Sequence, residues 1–432
     1  MARVRPFKAF TYTRSAADVT PLVAPPYDVI GEQERARLLA RSAHNIVALE
    51  LPEGPLDPAA PGNRYETGRK RWREWRDSGV VVRDRMPTIY VLEQRYELES
   101  AEIRRRAFIG EVALHTFEEG VVLPHERTLP KAVGDRFNLT KACAANFSQV
   151  FGLFSDPAQS TARIFAEATR GPVTLSATDA DGVTSDVWAL TDRELIASLA
   201  TILEHKQVFI ADGHHRYTTA LAYRDERRSQ DAAAGVTPAN PAYDYVMMAL
   251  VNMDDPGLVI LPTHRVARVA GEFDPGAFRA ALTDSFDLTE VSRETAREAL
   301  DAANRPGFVV ATGDGTPPLL ATVRNEIDLG TAIGLDRSRA WKELDVAVLQ
   351  ELVLDPLLGI HPDRPESLDR LSFVKDADEA FDSATAHDVS FILRATRIDQ
   401  MRAVALSGET MPQKSTYFYP KLLSGLVMRA MD

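Results

Sequence analysis

Residues 207–210 (Gln-Val-Phe-Ile) form an apolar run that leads into Asp212-Gly213 and then into the helical sequence 217–224. The run predicts a buried strand, and the Asp-Gly pair predicts the turn that ends it. A strand that turns at once into a helix is a building unit of α/β folds. The first N–H groups of such a helix lack partners within the helix and lie at the positive end of its dipole. The sequence therefore predicts an anion site at this turn, with phosphate the first ligand to test.

The turn also carries a carboxylate, two imidazoles and a guanidinium within five positions. Asp212 is suited to hold Mg²⁺, Gly213 lets the backbone approach an anion, and Arg216 can pair with phosphate oxygens. We predict these catalytic residues: Asp212 (also the metal ligand), His214 and His215. We predict Gly213 and Arg216 as cofactor-binding residues. The alternative is a helix capped by Asp212 with surface histidines; a zinc site is disfavoured because no second histidine cluster is present.

Composition limits the class of protein and of partner. With 432 residues, 45% hydrophobic and 26% charged, the chain is long enough for two or three domains. Its net charge of −12 argues against a nucleic-acid partner, because phosphate backbones reward clustered Lys and Arg. In a chain whose overall charge repels anions, a bound phosphate requires a local positive patch. The sequence does not indicate an oligomeric state.

The targeting and redox features of the sequence favour a cytoplasmic location for the protein. No segment approaches the roughly 18 apolar residues that a membrane span requires. The basic N-terminus lacks the apolar region of a secretion signal. The single cysteine, Cys143, excludes an intrachain disulfide and a cysteine-based zinc cluster. We therefore expect a cytoplasmic protein without a membrane partner.

A second group of polar residues lies between positions 124 and 141, where the sequence predicts irregular structure. Long loops without secondary structure are uncommon unless they have a function. Glu126 is a candidate base for a substrate hydroxyl. The nucleotide-binding residues predicted here are His125, Thr128, Lys131 and Arg136. The alternative is a solvated loop with surface ion pairs, which contribute little.

The C-terminal stretch 411–421 combines three aromatic residues with two lysines, which is unusual for an exposed tail. Lys414-Ser415-Thr416 is similar to the end of a P-loop, but no Gly-rich run precedes it, so a Walker-type site is rejected. We predict that the tail folds back on the site and contributes Lys414 and Thr416 to nucleotide binding. The alternative is an aromatic clamp that docks the C-terminus.

Other patterns predict alternating strands and helices. Residues 88–97 and 103–114 are expected to form a β-hairpin, with the arginines at 104–106 on a solvated face. Residues 45–51 predict a short strand. Residues 228–241 predict a surface loop.

The predicted fold is α/β (α+β), with a catalytic region over 1–268 and a C-terminal α/β domain over 269–432. His264 and Arg265 end a predicted strand of the first region. Strand ends are where α/β folds often place the side chains of a site.

Four separated motifs carry a resemblance that covers nearly the whole chain. They are Pro25-Pro26-Tyr27-Asp28-Val29-Ile30, the Pro-His-Glu-x-Thr loop with Lys131, Asp135 and Arg136, residues 211–217, and the tail 411–421. In this order they resemble a bacterial family of domains of unknown function, number 1015. The resemblance to that family implies little about function.

The Asp-Gly-His-His-Arg string at 212–216 also resembles the phosphate-binding turn of the ParB/sulfiredoxin superfamily, which includes nucleotide-dependent free serine kinases. This resemblance implies a ParB/sulfiredoxin-like nucleotide-binding core that takes ATP or ADP with Mg²⁺. Sulfiredoxins carry a cysteine in this turn and this chain has none there, so sulfinic acid reduction is not expected. ParB proteins add a DNA-binding helix-turn-helix, which the acidic charge disfavours.

Together with the turn, the resemblance predicts a kinase that phosphorylates the hydroxyl of a small metabolite, with free serine the leading candidate. No motif places the base glutamate of the serine kinases, and Glu126 and Glu50 are both candidates from local chemistry. The alternatives are a phosphatase that uses the same anion site and a nucleotide-binding regulatory protein without turnover.

Overall fold

The strand predicted before Asp212 is present as Val208–Asp212. The computed structural model describes residues 2–13, 17–128, 130–362, 364–385 and 387–432. The chain divides into two units. The first comprises Met1–Pro124, Thr128–Val259 and Pro420–Asp432, and the second comprises His125–Arg127 and Ile260–Tyr419. The last residues of the chain therefore belong to the unit in which the chain begins.

The described part of the first unit is built on a nine-stranded mixed sheet. From edge to edge its strands run Val122–Leu123, Val208–Asp212, Val150–Phe154, Tyr245–Asn252, Ala101–Ala113, Ile89–Leu98, Thr184–Leu190 and Leu175–Thr178, and Val4–Arg5 pairs with Ala101–Ala113. The predicted hairpin is confirmed as Ile89–Leu98 with Ala101–Ala113. Shorter strands pair as Phe10–Tyr12 with Val81–Arg83 and Ala145–Asn146 with Arg429–Ala430.

The core that supports the turn lies on one face of this sheet. Strand residues such as Ile210, Phe108 and Leu250 pack there against helices Arg193–Glu204 and His214–Ala233. Ile210 and Leu250 are fully buried. Burial of apolar side chains on this face, at about 25 cal/mol per Å², holds the end of the strand and the start of the helix at a fixed place.

The first unit has helices before, between and after its strands. They are Glu32–Arg41, Val47–Glu50, Arg64–Asp77, Pro130–Cys143, Ala162–Ala168, Arg193–Glu204 and His214–Ala233, with 3-10 turns at Thr20–Leu22, Tyr27–Val29, Phe117–Glu119 and Ala242–Asp244. Across the described residues, no helix is both long and apolar enough to cross a membrane.

Three secondary-structure predictions in this unit are wrong. The stretch predicted as a strand at 45–51 is the helix Val47–Glu50, because the Asn45 side chain accepts from the Val47 N–H and starts a helical turn. The stretch predicted as irregular contains Pro130–Cys143, a helix that begins on a proline. The predicted loop at 228–241 is helical up to Ala233, because Arg, Gln and Ala favour continuation.

The second unit is built on a six-stranded sheet whose described pairings are antiparallel. Its order is Phe286–Glu290, Leu319–Val323, Gly307–Thr312, Asp388–Ile392, His264–Arg268 and Leu371–Val374. Short strands lie at Val259–Leu261 and Tyr417–Tyr419. The helices are Pro275–Leu282, Arg293–Ala302, Leu329–Ala332, Arg339–Lys342, Asp345–Leu349, Pro365–Leu368, Ala377–Asp382 and Ile398–Leu406, with a π-helical turn at Gln350–Leu354. The predicted mixed α/β class is confirmed in both units.

Candidate active site

The predicted strand-turn-helix is confirmed, and a β-bulge shapes it. Pairing with the neighbouring strand shifts register between Ile210 and Asp212. A bulge adds one residue to a strand and redirects the side chains that follow. Gly213 then adopts a φ of +89°, a left-handed conformation that favours glycine, and the helix begins at His214. The N-cap position of this helix is Gly213, which has no side chain, so no side-chain cap is made from that position.

Both carboxylate oxygens of Asp212 accept from cations. Arg216 Nη2 lies 2.6 Å from Oδ2, and Lys421 Nζ lies 2.6 Å from Oδ1. The three side chains remain 12–17% exposed. Burial alone raises the pKa of Asp212, but the charges of Lys421 and Arg216 outweigh it and hold that pKa well below its usual range. Asp212 therefore stays ionised, and the three groups together carry one net positive charge.

Arg216 is packed tightly into the turn. Its Nη1 donates to the carbonyl of Gln149, while its Nε is buried without a hydrogen-bond partner among the described residues. A Cβ on residue 213 would lie 2.8–2.9 Å from the Arg216 guanidinium. Gly213 is thus required twice, once for its φ and once for the approach of Arg216 to Asp212.

Arg105 is a site residue that the sequence prediction assigned to a solvated face, and that prediction is wrong. Its side chain is only 1% exposed, and its guanidinium stacks 4.7 Å from the centroid of the Phe151 ring. Its Nε and Nη2 donate to Gln94 Oε1, whereas its Nη1 is buried without a partner in the described part of the chain. Burial lowers the pKa of Arg105 to about 10, and the charge of Asp212 acts in the opposite direction. Arg105 therefore adds a second uncompensated positive charge near the turn.

A buried cluster around Glu50 lies in the same unit. Glu50 Oε2 accepts from Arg136 Nη1 at 3.1 Å, and Glu50 Oε1 is buried with no partner among the described residues. Arg136 also donates to Asp135 at 2.6 Å and stacks 4.2 Å above the Tyr27 ring. Burial raises the pKa of Tyr27 to about 12, and the charges of Arg136 and Arg216 act against that rise. Tyr27 thus lies within electrostatic reach of both the Glu50 cluster and the turn.

The other site residues predicted in the first unit are spread along its helices. His214 is buried, with 5% of its surface exposed, and its charge also lowers the pKa of Asp212. His215 is half-buried and Lys131 is exposed. Thr128 is half-buried just before the helix Pro130–Cys143.

In the second unit, part of the predicted polar loop meets the predicted tail. His125 is 1% exposed, and its Nε2 lies 2.9 Å from Thr416 Oγ1. Glu126 forms a backbone bridge with Met411. The carbonyl of Lys414 accepts from Arg265 Nη2 at 3.0 Å, and the Lys414 side chain is exposed. His125 and Glu126 therefore contact the stretch 411–416 of this unit, through Thr416 and Met411 respectively. Lys414 is held through its backbone by Arg265.

Arg265 and its neighbour His264 are buried, so they do not form an exposed strand-end site. His264 Nδ1 accepts from the Leu393 N–H at 3.1 Å. Burial lowers the pKa of His264 to about 4, Arg265 and Arg297 lower it further, and Asp376 acts in the opposite direction. Protonation would turn the acceptor nitrogen into a donor that faces another donor.

The free energy of unfolding is therefore expected to fall as the pH drops from 6.5, the ordinary pKa of histidine, to about 4. A depressed folded-state pKa means that the stabilisation is complete above the upper value and lost below it. The contribution is up to about 3 kcal/mol. Denaturant unfolding of wild type and His264→Gln at several pH values measures it, since Gln keeps an acceptor but does not titrate. Parallel pH profiles for the two proteins would contradict this assignment.

Within the described residues, no group of three or more His, Cys, Asp or Glu side chains is gathered to hold a metal. Asp212 is the single carboxylate in the turn sequence 211–216. Mg²⁺ often takes only one or two protein carboxylates and completes its shell with phosphate oxygens and water. The residues of the turn therefore fit a metal that arrives with a phosphate ligand, and do not fit a metal held by protein alone.

Comparison with known proteins gives one family and several distant structural likenesses. A family profile described as "Protein of unknown function (DUF1015)" matches residues 4–347. None of the curated proteins matches the chain.

The solved structures that resemble the chain do so at low identity. A glutamate-to-alanine variant of a free serine kinase in complex with ADP is 11% identical, with 72% of this chain and 87% of that chain covered and a TM-score of 0.34. A conserved hypothetical protein from Pyrococcus furiosus is 13% identical, with 73% and 92% covered and a TM-score of 0.33. SbnI with a C-terminal truncation, from Staphylococcus aureus, is 10% identical, with 73% and 85% covered and a TM-score of 0.35.

Proposed function

The chain belongs to the DUF1015 family, as its four motifs predict, and we propose that it is a nucleotide-dependent phosphotransferase. It moves a phosphoryl group from ATP or ADP to the hydroxyl of a small metabolite. Free serine is the leading candidate acceptor, because the string at 212–216 resembles the phosphate-binding turn of the free serine kinases. The observation that supports this proposal most is the cationic turn around Asp212.

The turn has the charge and the donors that a phosphate group needs. Arg216 and Lys421 both donate to Asp212. Arg105, which interacts electrostatically with Asp212, has a buried Nη1 without a partner in the described structure. A buried donor without a partner costs about 1–3 kcal/mol, which an anion would recover. The helix that begins at His214 adds its N–H groups and dipole. In a chain of net charge −12, this local excess of positive charge favours an anionic ligand.

The metal proposed with the nucleotide is Mg²⁺, and Asp212 would be its protein ligand. When bound, Mg²⁺ supplies charge neutralisation on the phosphate oxygens. Asp212 serves this role in its ionised form, which Lys421 and Arg216 maintain. Within the turn, His214 and His215 stay proposed catalytic residues, and Gly213 lets the backbone approach the phosphate. Thr128 and Lys131, which belong to the same unit as Asp212, remain proposed nucleotide contacts. His125, Lys414 and Thr416 belong to the second unit, and their part in nucleotide binding stays a prediction from the sequence.

We propose Glu50 rather than Glu126 as the base. Glu50 lies in the same unit as Asp212, and its Oε1 is buried and unpaired among the described residues. The acceptor oxygen attacks the terminal phosphorus, the bond from that phosphorus to the bridging oxygen breaks, and the hydroxyl proton passes to Glu50 Oε1. Arg136 donates to Glu50 and Asp135, so its proposed role changes from a nucleotide contact to holding the base.

Phosphorus NMR tests this function directly. Purified protein is incubated with ATP or ADP, Mg²⁺ and a panel of hydroxylated metabolites that includes serine. We expect a new phosphate-ester resonance with one acceptor and a matching loss of the terminal nucleotide phosphate. Inorganic phosphate released without an acceptor would indicate the phosphatase. Unchanged spectra, with thermal stabilisation by nucleotide, would indicate the regulatory protein and overturn the proposal.

A further inference from the structure

The last residues of the chain form a strap, which we define as residues 420–425, across the first unit. Buried side chains hold its backbone: Arg105 donates to the carbonyl of Pro420, and Gln94 Nε2 lies 3.2 Å from the carbonyl of Lys421. Further along, Gln149 Nε2 lies 3.1 Å from the carbonyl of Leu423. Most of the strap is buried. The strap is therefore fixed by its backbone, without needing the side chain of Lys421.

The same residues tie the strap to the turn. Gln149 bonds the strap through its side chain and accepts from Arg216 through its carbonyl. Arg105 donates to the strap, and the charge of Asp212 acts to raise the pKa of Arg105. These contacts place the Lys421 ammonium beside Asp212 Oδ1, while Arg216 donates to Oδ2 of the same carboxylate. Two cations thus converge on one carboxylate that remains partly open to solvent.

We propose that Lys421 is a direct ligand of a nucleotide's phosphate groups, an inference that rests on the proposed function and adds a residue to it. An ammonium on a flexible stem can turn from a carboxylate to a phosphate oxygen while the backbone stays fixed. The unpartnered Nη1 of Arg105 and Nε of Arg216, both buried within the described structure, show that the cations beside Lys421 have hydrogen-bonding capacity to spare. The competing role is a clasp in which Lys421 only neutralises Asp212.

Calorimetric titration with pyrophosphate and with ADP separates the two roles. Lys421→Gln is measured in the wild-type protein and in an Asp212→Asn background, where no carboxylate charge is left to neutralise. If Lys421 is a phosphate ligand, the Lys421→Gln substitution is expected to raise Kd about tenfold or more in both backgrounds, because a hydrogen bond to a charged group is lost. Lys421→Arg should restore part of the affinity. Lys206→Gln is the matched control. Lys206 also pairs with an aspartate, Asp156, at 3.7 Å, but it precedes the first residue of the strand Val208–Asp212, whereas Asp212 is the last.

Each outcome decides the inference. If Lys421→Gln weakens binding only in the wild-type background, Lys421 merely neutralises Asp212, and the inference is overturned. A wild-type protein that binds neither pyrophosphate nor ADP would overturn it too. Binding that depends on Lys421, together with unchanged phosphorus spectra in the transfer assay, would support Lys421 as an anion ligand while the proposed function failed.

Discussion

Replacing Asp212 with Asn is expected to lower kcat at least about tenfold, equivalent to about 1.4 kcal/mol, without weakening nucleotide binding. The substitution removes the proposed metal ligand and keeps the shape of the side chain. It also frees Lys421 and Arg216 from their carboxylate partner. Phosphate affinity should then stay the same or rise, because one negative charge has left the site. Steady-state kinetics with varied nucleotide would show the fall in kcat with KM unchanged or lower.

The matched control for this experiment is Asp186→Asn. Asp186 is also buried and ion-paired, with Arg95 Nη2 at 2.7 Å from its Oδ2, but it lies on Thr184–Leu190, five strands from Val208–Asp212 in the same sheet. Both variants lose the charge of one ion-paired carboxylate, so a common effect on folding would appear in both. Full turnover in the Asp212 variant would refute the role given to this carboxylate.

The strand-turn-helix could be predicted from the sequence because its determinants are local. An apolar run, an Asp-Gly turn and a helix-forming stretch all lie within 30 residues of Asp212, and each acts on its own neighbours. Elements whose start depends on one polar side chain or one proline differ from the sequence prediction. The Asn45 side chain and Pro130 each begin a helix where the surrounding pattern indicated a strand or a loop.

Arg105 had a sequence signal that the charge run concealed. In a strand, alternate side chains face the same side, and Arg105 shares its side with Ile103 and Ala107. Among the three adjacent arginines, this alternation marks the middle one as inward-facing. Lys421 had no comparable signal. It meets Asp212 across a sequence separation of 209 residues, and only the folded strap brings the two together.

Replacing Glu50 with Gln is expected to lower kcat by about 10² or more, the largest effect of any single change proposed for this chain, because general base catalysis contributes typically about 10²–10⁴. Gln keeps the volume and one acceptor oxygen for Arg136, so the buried cluster retains its packing. It cannot take a proton from the acceptor hydroxyl. Single-turnover measurements at saturating nucleotide isolate this step from binding and product release.

A purely structural role for Glu50 makes a different prediction, which Glu111→Gln exposes. Glu111 is likewise a buried glutamate, bonded to Arg5 and Arg429 in the same unit. Each substitution removes one buried carboxylate charge that is paired with arginine, so the melting temperatures of both variants should fall. If Glu50 is the base, only its variant loses turnover. Equal turnover in both variants would make Glu50 a structural residue. A large loss of turnover in Glu126→Gln would then identify Glu126, the other candidate carboxylate, as the base.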